Sequence, residues 1–263
     1  ITELGQIPAM FLMEFASPAF KETNFATVRK FLWAGAGAPE VMLTVLNGIA
    51  TKTGARLCTG YGSTEVCGFV TYSEPDDDLE TLQRTAGKVA EPFELRIVDE
   101  QRNVLSTGEI GEIAVRGALL MDRYWNQPEA TAQVIDDMGW YYTGDMAHQD
   151  ERGCIHIVGR KSEMFKSGGE NIYPREIEDV LEQHPAVLLA AVIGVPHPVY
   201  QEIGHAFVMP APDAELTVDE LLTHCKKQLA SYKVPKAFEL CSALPMLPTG
   251  KVDKQALREL LPG

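Results

Sequence analysis

Four short stretches carry residues whose types and spacing could do chemistry. In Tyr61-Gly62-Ser63-Thr64-Glu65 the glycine lets the backbone approach a ligand, and the Thr64 hydroxyl can donate to a phosphate. The Glu65 carboxylate is a hard oxygen ligand of the kind Mg²⁺ takes, although a plain turn explains the same five residues. Thr143-Gly144-Asp145 offers a carboxylate able to accept from both hydroxyls of a ribose, and an Asx-turn explains it equally well. Lys166-Ser167-Gly168-Gly169 reads as an anion nest or as a flexible loop. Pro248-Thr249-Gly250-Lys251 lacks the G-x-x-x-x-G-K-[ST] pattern of a phosphate loop, so taken alone its lysine is a surface lysine on an exposed turn.

The elements around these stretches must position them. Apolar spacing predicts a helix over residues 7–15. Residues 28–36 (VRKFLWAGA) read as a buried strand running into a Gly-rich turn. Pro39 opens a helix to about Lys52, apolar on most sides and so expected to be sandwiched. Residues 56–59 are a second short strand that enters YGSTE directly. Strand, Gly turn, helix, strand, Gly turn is the grammar of an α/β sheet with ligand groups at strand ends. The rhythm then changes. Residues 87–117 hold two or three alternating strands and predict a small antiparallel, barrel-like subdomain, followed by a short helix at 128–134.

From Trp140 to Glu178 a Thr-Gly-Asp turn, one apolar strand, Gly159-Arg160, a lysine run and a Ser-Gly-Gly-Glu-Asn turn follow one another, and Pro174 starts a helix. Polar groups at both ends of one strand, with a new unit beyond, suit a site shared by two domains. Past Gly159 the chain reads as a separate α+β unit. Its helix 174–184 turns Ile177, Val180, Leu181 and His184 to one face, strands cover 187–195 and 202–210, and a capping box stands at 217–220. The expected division is residues 1–159, a hinge at 160–163, and a small domain at 164–263.

Bulk properties exclude several classes. A net charge of −14 argues against nucleic acid, whose binding rests on phosphate neutralisation. The charge is uneven: residues 1–158 hold 12 Lys and Arg against 23 Asp and Glu, whereas residues 159–263 hold 11 against 14. The second part is therefore the one able to meet an anion locally. Five scattered cysteines without CxxC spacing point to a reducing, cytoplasmic setting, and not to a zinc site or a disulfide framework. No apolar run approaches the ~18 residues of a membrane helix.

Taken together, GAGAP (35–39), YGSTE (61–65), YWNQPEAT (124–131), GWYYTGD (139–145), GRKSEMFKSGGENIYPREIE (159–178) and PTGKVDK (248–254) run in one order across essentially the whole chain. In this set the chain resembles the acyl- and aryl-CoA ligases of the adenylate-forming superfamily, which also holds firefly luciferase and the adenylation domains of peptide synthetases. The resemblance implies that ATP and a carboxylic acid form an acyl-adenylate and pyrophosphate, and that coenzyme A then displaces AMP. It implies that Tyr61 stacks on adenine beside Gly37, Ala38 and Pro39, that Thr64 holds phosphate, and that Glu65 ligates Mg²⁺. Asp145 would take the ribose hydroxyls, Arg160 would contact ribose and phosphate, and Lys251 would bridge the substrate carboxylate and the α-phosphate. The small domain would rotate about Ser162 between half-reactions, bringing Lys166, Gly168 and Gly169 to the thiol. Trp33, Val66, Cys67 and Gly68 would approach an acyl pocket fit for a fatty or aryl acid.

Two departures qualify this reading. The family's Ser/Thr/Gly-rich phosphate loop lies well before YGSTE, and nothing like it occurs here, so the chain is expected to begin part-way through the large domain and to adenylate poorly by itself. The position two residues past the hinge arginine is usually Asp or Lys in the family and is Ser162 here. The alternatives are an adenylation domain serving a carrier protein, or a fragment that only binds.

Overall fold

The computed structural model describes residues 1–212, 214–248 and 250–261, and three larger sheets organise them, beside two two-stranded ones. The first is parallel: Lys30–Trp33 lies between Glu3–Gln6 and Arg56–Thr59. The strand predicted over 28–36 is shorter than expected because Gly35 turns to φ 84° and breaks the ladder at Ala34. Helices Pro8–Phe15 and Glu40–Thr53 pack on this sheet, burying Phe11, Phe31, Trp33, Met42 and Leu46 completely or nearly so. Glu40–Thr53 is not sandwiched as its composition suggested. Met42, Leu43, Leu46 and Ala50 form one buried face, while Val41 on the other remains 48% exposed. Gly54 stops the helix in the left-handed conformation, where its N–H caps the Ala50 carbonyl.

The second sheet is the antiparallel one the alternating segment predicted. Its strands are Phe93–Val98, Gly111–Gly117, Tyr141–Gln149 and Ile155–Arg160, in that spatial order. Its inner face buries Ile97, Ile113, Val115, Tyr141 and Ile155 together with Val66 and Val70. The Thr-Gly-Asp turn is therefore no free loop. It lies inside a strand, where the pairing with Gly111–Gly117 skips between Tyr142 and Met146 and Gly144 takes φ 74°.

Beyond Arg160 the chain joins a third, five-stranded sheet. Phe165–Ser167 lies between Glu170–Ile172 and Gln201–Pro210, whose further partners are Val187–His197 and Ala237–Leu240. Helix Pro174–Glu182 lays Ile177 and Leu181 against this sheet with no exposure. Each such side chain contributes about 1.5–3 kcal/mol over the exposed state. The capping box is present: the Thr217 hydroxyl accepts from Glu220 N–H, and the Glu220 carboxylate accepts from Thr217 N–H. Among the described residues no helix is long and apolar enough to cross a membrane. All five cysteines are free.

Candidate active site

The strand Arg56–Thr59 delivers YGSTE into a tight corner. A Cβ on Gly60 would overlap the Thr71 carbonyl, and one on Gly62 would overlap the Gly68 carbonyl, so only glycine lets these segments touch. The Tyr61 N–H donates to Thr71 Oγ1 at 2.9 Å, and its carbonyl accepts from Val70 N–H at 2.8 Å. The ring is thereby fixed. Its hydroxyl donates to Asp145 Oδ2 at 2.6 Å, and burial together with the Asp145 charge pushes the phenol pKa far up. The other Asp145 oxygen meets Arg160 Nε at 3.1 Å, because Asp145 and Arg160 stand opposite each other in neighbouring strands. Asp145 is 8% exposed, and its carboxylate keeps a lone pair free on each oxygen.

Thr64, Glu65 and Val66 form one turn of 3-10 helix that ends at Cys67 with φ 56°. Glu65 Oε1 accepts from the Tyr124 hydroxyl at 3.0 Å, and its carbonyl accepts from Met121 N–H at 2.7 Å. Burial alone would raise its pKa. Hydrogen bonds from its own N–H, Ser63 and Tyr124, with the Arg160 charge, outweigh burial and hold it below the ordinary carboxylate range. A charged carboxylate flanked by hydroxyls fits Mg²⁺, which takes one or two protein carboxylates and fills its shell with water and phosphate oxygens. Among the described residues no group of three or more His, Cys, Asp or Glu forms a metal cage of its own.

A cleft of about 340 Å³ opens beside this site, lined by Thr143, Gly144, Arg160, Lys161 and Ser162. Glu112 ties two of these residues together. It accepts from Gly144 N–H at 3.0 Å and pairs with Lys161 Nζ at 3.0 Å, while Lys161 N–H donates to the Gly144 carbonyl at 2.8 Å. The exposed Ser162 and the Arg160–Lys161 backbone therefore adjoin Gly144 and Asp145 directly.

Lys251 lies on a separate loop, beside the Gly35 turn. Its loop is closed by Asp253 N–H to the Pro245 carbonyl at 2.8 Å and by Leu247 N–H to the Lys251 carbonyl at 2.8 Å. The ammonium has no hydrogen-bonded or ionic partner among the described residues, and the side chain is exposed. An idealised Cβ on Gly35 would lie 3.9 Å from Lys251 Cε, and one on Gly250 would overlap Ile7 Cδ1. The lysine loop thus rests on the GAGAP turn, where Ala38 and Pro39 are buried and Gly37 is half-buried. Thr249 of this loop lies outside the described residues.

The remaining predicted residues are placed differently. Lys166, Gly168 and Gly169 form a hairpin on the third sheet, with φ 61° at Gly168 and 93° at Gly169. Gly168 N–H donates to the Tyr200 carbonyl at 3.0 Å, and Lys166 N–H donates to Glu202 at 3.2 Å. Of the expected acyl-pocket residues, Cys67 and Gly68 are exposed, whereas Trp33 and Val66 lie in two separate buried clusters at 1% and 2% exposure. Tyr124 and Glu112 had no role in the sequence reading. Tyr124 was visible there as the first residue of YWNQPEAT, but nothing local says that it will reach Glu65, 59 residues earlier.

Two family models match the chain: that of the AMP-binding enzymes over residues 1–125, and that of the AMP-binding enzyme C-terminal domain over residues 176–251. A long-chain-fatty-acid–CoA ligase from Yersinia pestis is 39% identical over 261 residues, covering 98% of this chain and 45% of that protein. A feruloyl-CoA synthase from an Amycolatopsis species is 36% identical over 258 residues, covering 98% and 51%. The anthranilate CoA ligase AuaEII, solved with anthranoyl-AMP, superposes with a TM-score of 0.86 at 28% identity, over 98% of this chain and 49% of that one. The chain spans about half the length of the curated relatives it matches. With the two family models matched in chain order and relatives aligned over nearly its whole length, the chain belongs to the adenylate-forming AMP-binding enzymes.

Proposed function

We propose that the protein carrying this chain is an AMP-forming acid–thiol ligase that activates a carboxylic acid with ATP and passes the acyl group to coenzyme A. The observation that carries this reading is the presence of a buried, doubly held Asp145 and, at the Gly35 turn, of a Lys251 whose ammonium has no partner among the described residues. A carboxylate is a poor electrophile because oxide is a poor leaving group, and both reactants are anions. The enzyme must align them and neutralise charge.

In the first step a carboxylate oxygen attacks the α-phosphorus and pyrophosphate leaves. Asp145 accepts the ribose hydroxyls on its free lone pairs, Tyr61 packs against adenine with Gly37, Ala38 and Pro39, and Arg160 and Thr64 meet phosphate. Lys251 sets a point charge between the carboxylate and the α-phosphate. Glu65 is the residue that would hold Mg²⁺, which supplies charge neutralisation at the phosphates. In the second step the thiol sulfur attacks the acyl carbonyl, AMP leaves and the thiol proton is released. Rotation of residues 164–263 about Ser162 withdraws Lys251 and presents Lys166, Gly168 and Gly169. Relatives named for long-chain fatty acids and for ferulate support a fatty or aryl acid, bordered by the exposed Cys67 and Gly68 next to the buried Val66, with Trp33 in a separate cluster.

Full-length protein incubated with ATP, Mg²⁺, CoA and a panel of fatty and aryl acids is expected to release pyrophosphate and AMP with at least one acid. No release with any acid overturns the reading. The phosphate-loop motif is not among residues 1–263, so this stretch alone is expected to give no ATP–pyrophosphate exchange in the same assay.

A further inference from the structure

Arg175 stands just inside the start of helix Pro174–Glu182, with its side chain 23% exposed. Its guanidinium pairs with Asp179 one turn along and with Glu182 Oε2 at 3.3 Å. Glu182 also accepts from Ala190 N–H at 3.2 Å, so this cage is built into the packing of the small unit. The positive charge is thus matched at home and calls for no anionic ligand. The remaining feature is where the cage sits. The guanidinium lies on Gly37, where any Cβ would overlap Arg175 Nη2 and stand 3.0 Å from Cζ and 3.2 Å from Asp179 Oδ1. Gly35, two residues away on the same turn, is the one that meets Lys251. The Arg175 Cβ also lies 3.6 Å from an idealised Cβ on Gly159, at the end of the strand leading to the hinge.

The small unit therefore grips the Gly35–Gly37 turn at two points, from its helix and from its lysine loop. A lysine on a loop, with four rotatable bonds and no ionic partner among the described residues, cannot by itself fix the orientation of a whole unit. A caged, planar guanidinium seated on a side-chain-free residue can. We propose that Arg175 is a positioning residue for adenylation: by docking on Gly37 it seats the small unit so that Lys251 reaches the Gly35 turn. The contact belongs to this arrangement and is released when the Ser-Gly-Gly hairpin is presented. The proposal rests on the ligase reading above.

The test uses full-length protein with Arg175→Met and Glu182→Gln together, which keeps the charge balance and leaves an amide oxygen for Ala190 N–H. ATP–pyrophosphate exchange is expected to fall about tenfold in kcat with the KM for ATP within about twofold, a loss of transition-state placement and not of binding. Thioester formation from supplied acyl-adenylate should be unchanged. Equal loss in both half-reactions, or loss in neither, overturns the proposal. If wild-type protein shows no exchange at all, the ligase reading fails first. Docking is then read directly from the distance between probes on the exposed Lys52 and Lys226, for which Arg175→Lys preserves the charge of the cage should the double variant not fold. A distribution that broadens on substitution supports the docking role, and one that stays as narrow as wild type overturns it.

Discussion

The residues proposed for the nucleotide side and those beyond Arg160 are held in opposite ways. Asp145 is buried, with one oxygen on Tyr61 and the other on Arg160, and Glu65 is tied to Tyr124. Lys251 and Lys166 are exposed, and their ammonium groups have no partner among the described residues. A group that stays with the nucleotide through both proposed half-reactions can be locked in place. A group that must arrive and leave is better carried on a small, rigid unit with its own charge left free. Ion pairs tie that unit together: Lys254 joins Glu163, next to Ser162, to Glu178, which lies on the buried face of helix Pro174–Glu182. Glu178 Oε1 also accepts from Val192 N–H at 2.8 Å, so the start of the small unit, the residue three past Lys251 and the third sheet are tied together.

Breaking the free side should change rate without changing stability. Lys251→Ala is expected to lower adenylation by about 10²–10³-fold, the scale of removing one transition-state charge contact, while acyl transfer from preformed acyl-adenylate persists. Its melting temperature should match wild type, since an exposed substitution shifts stability by no more than about 0.5 kcal/mol. Equal loss of both half-reactions in stopped assays would remove the contrast between the two sides.

Breaking the held side should do both. Asp145→Ala leaves the Tyr61 hydroxyl unpaired in a largely buried site, a cost of about 1–3 kcal/mol, and removes the acceptor for ribose. Calorimetry should show the lowered melting temperature, and ATP titration a raised KM. A variant as stable as wild type would show that the Tyr61–Asp145–Arg160 link holds nothing together.

The smallest effect sharpens the comparison through pH. His148 lies on the strand that carries Asp145, stacked on His156 at 4.6 Å, and its Nδ1 is buried without a partner. Burial and the His156 charge hold its pKa below the ordinary value against the opposing charge of Asp150. Below a pH of about 6.5 the unfolded chain binds the proton that folded His148 resists, so this group's contribution to stability falls as pH falls. Glu182, pushed up to about 7 by burial, acts with the opposite sign over the same range, its contribution being lost as pH rises. The difference between wild type and His148→Phe cancels Glu182. Wild type is expected to lose about 1 kcal/mol or less relative to the variant between pH 7 and 5.5, read from urea midpoints.

Much of this was legible locally. A proline at the first turn, a capping box, glycine stops and alternating strands depend on neighbours a few residues apart, so residues 56–59, 128–134 and 217–220 form in place as their own chemistry dictates. The ordered motifs fixed the family for the same reason: each is a contiguous string. The helix after Pro39 was misread as sandwiched because composition counts apolar residues and cannot say which face another layer will cover.

What only the tertiary structure decided are the pairings across long separations. Tyr61 reaches Asp145 across 84 residues, Tyr124 reaches Glu65 across 59, and Lys254 reaches Glu163 across 91. No local propensity encodes such partners. They follow from which sheet each strand joins and how its register falls, and that is set by burying several separate cores at once. The residues proposed to meet the nucleotide are thus named by the sequence motifs alone. That Asp145 is gripped from both sides, and that Arg175 sits on a glycine with no side chain to refuse it, comes from packing.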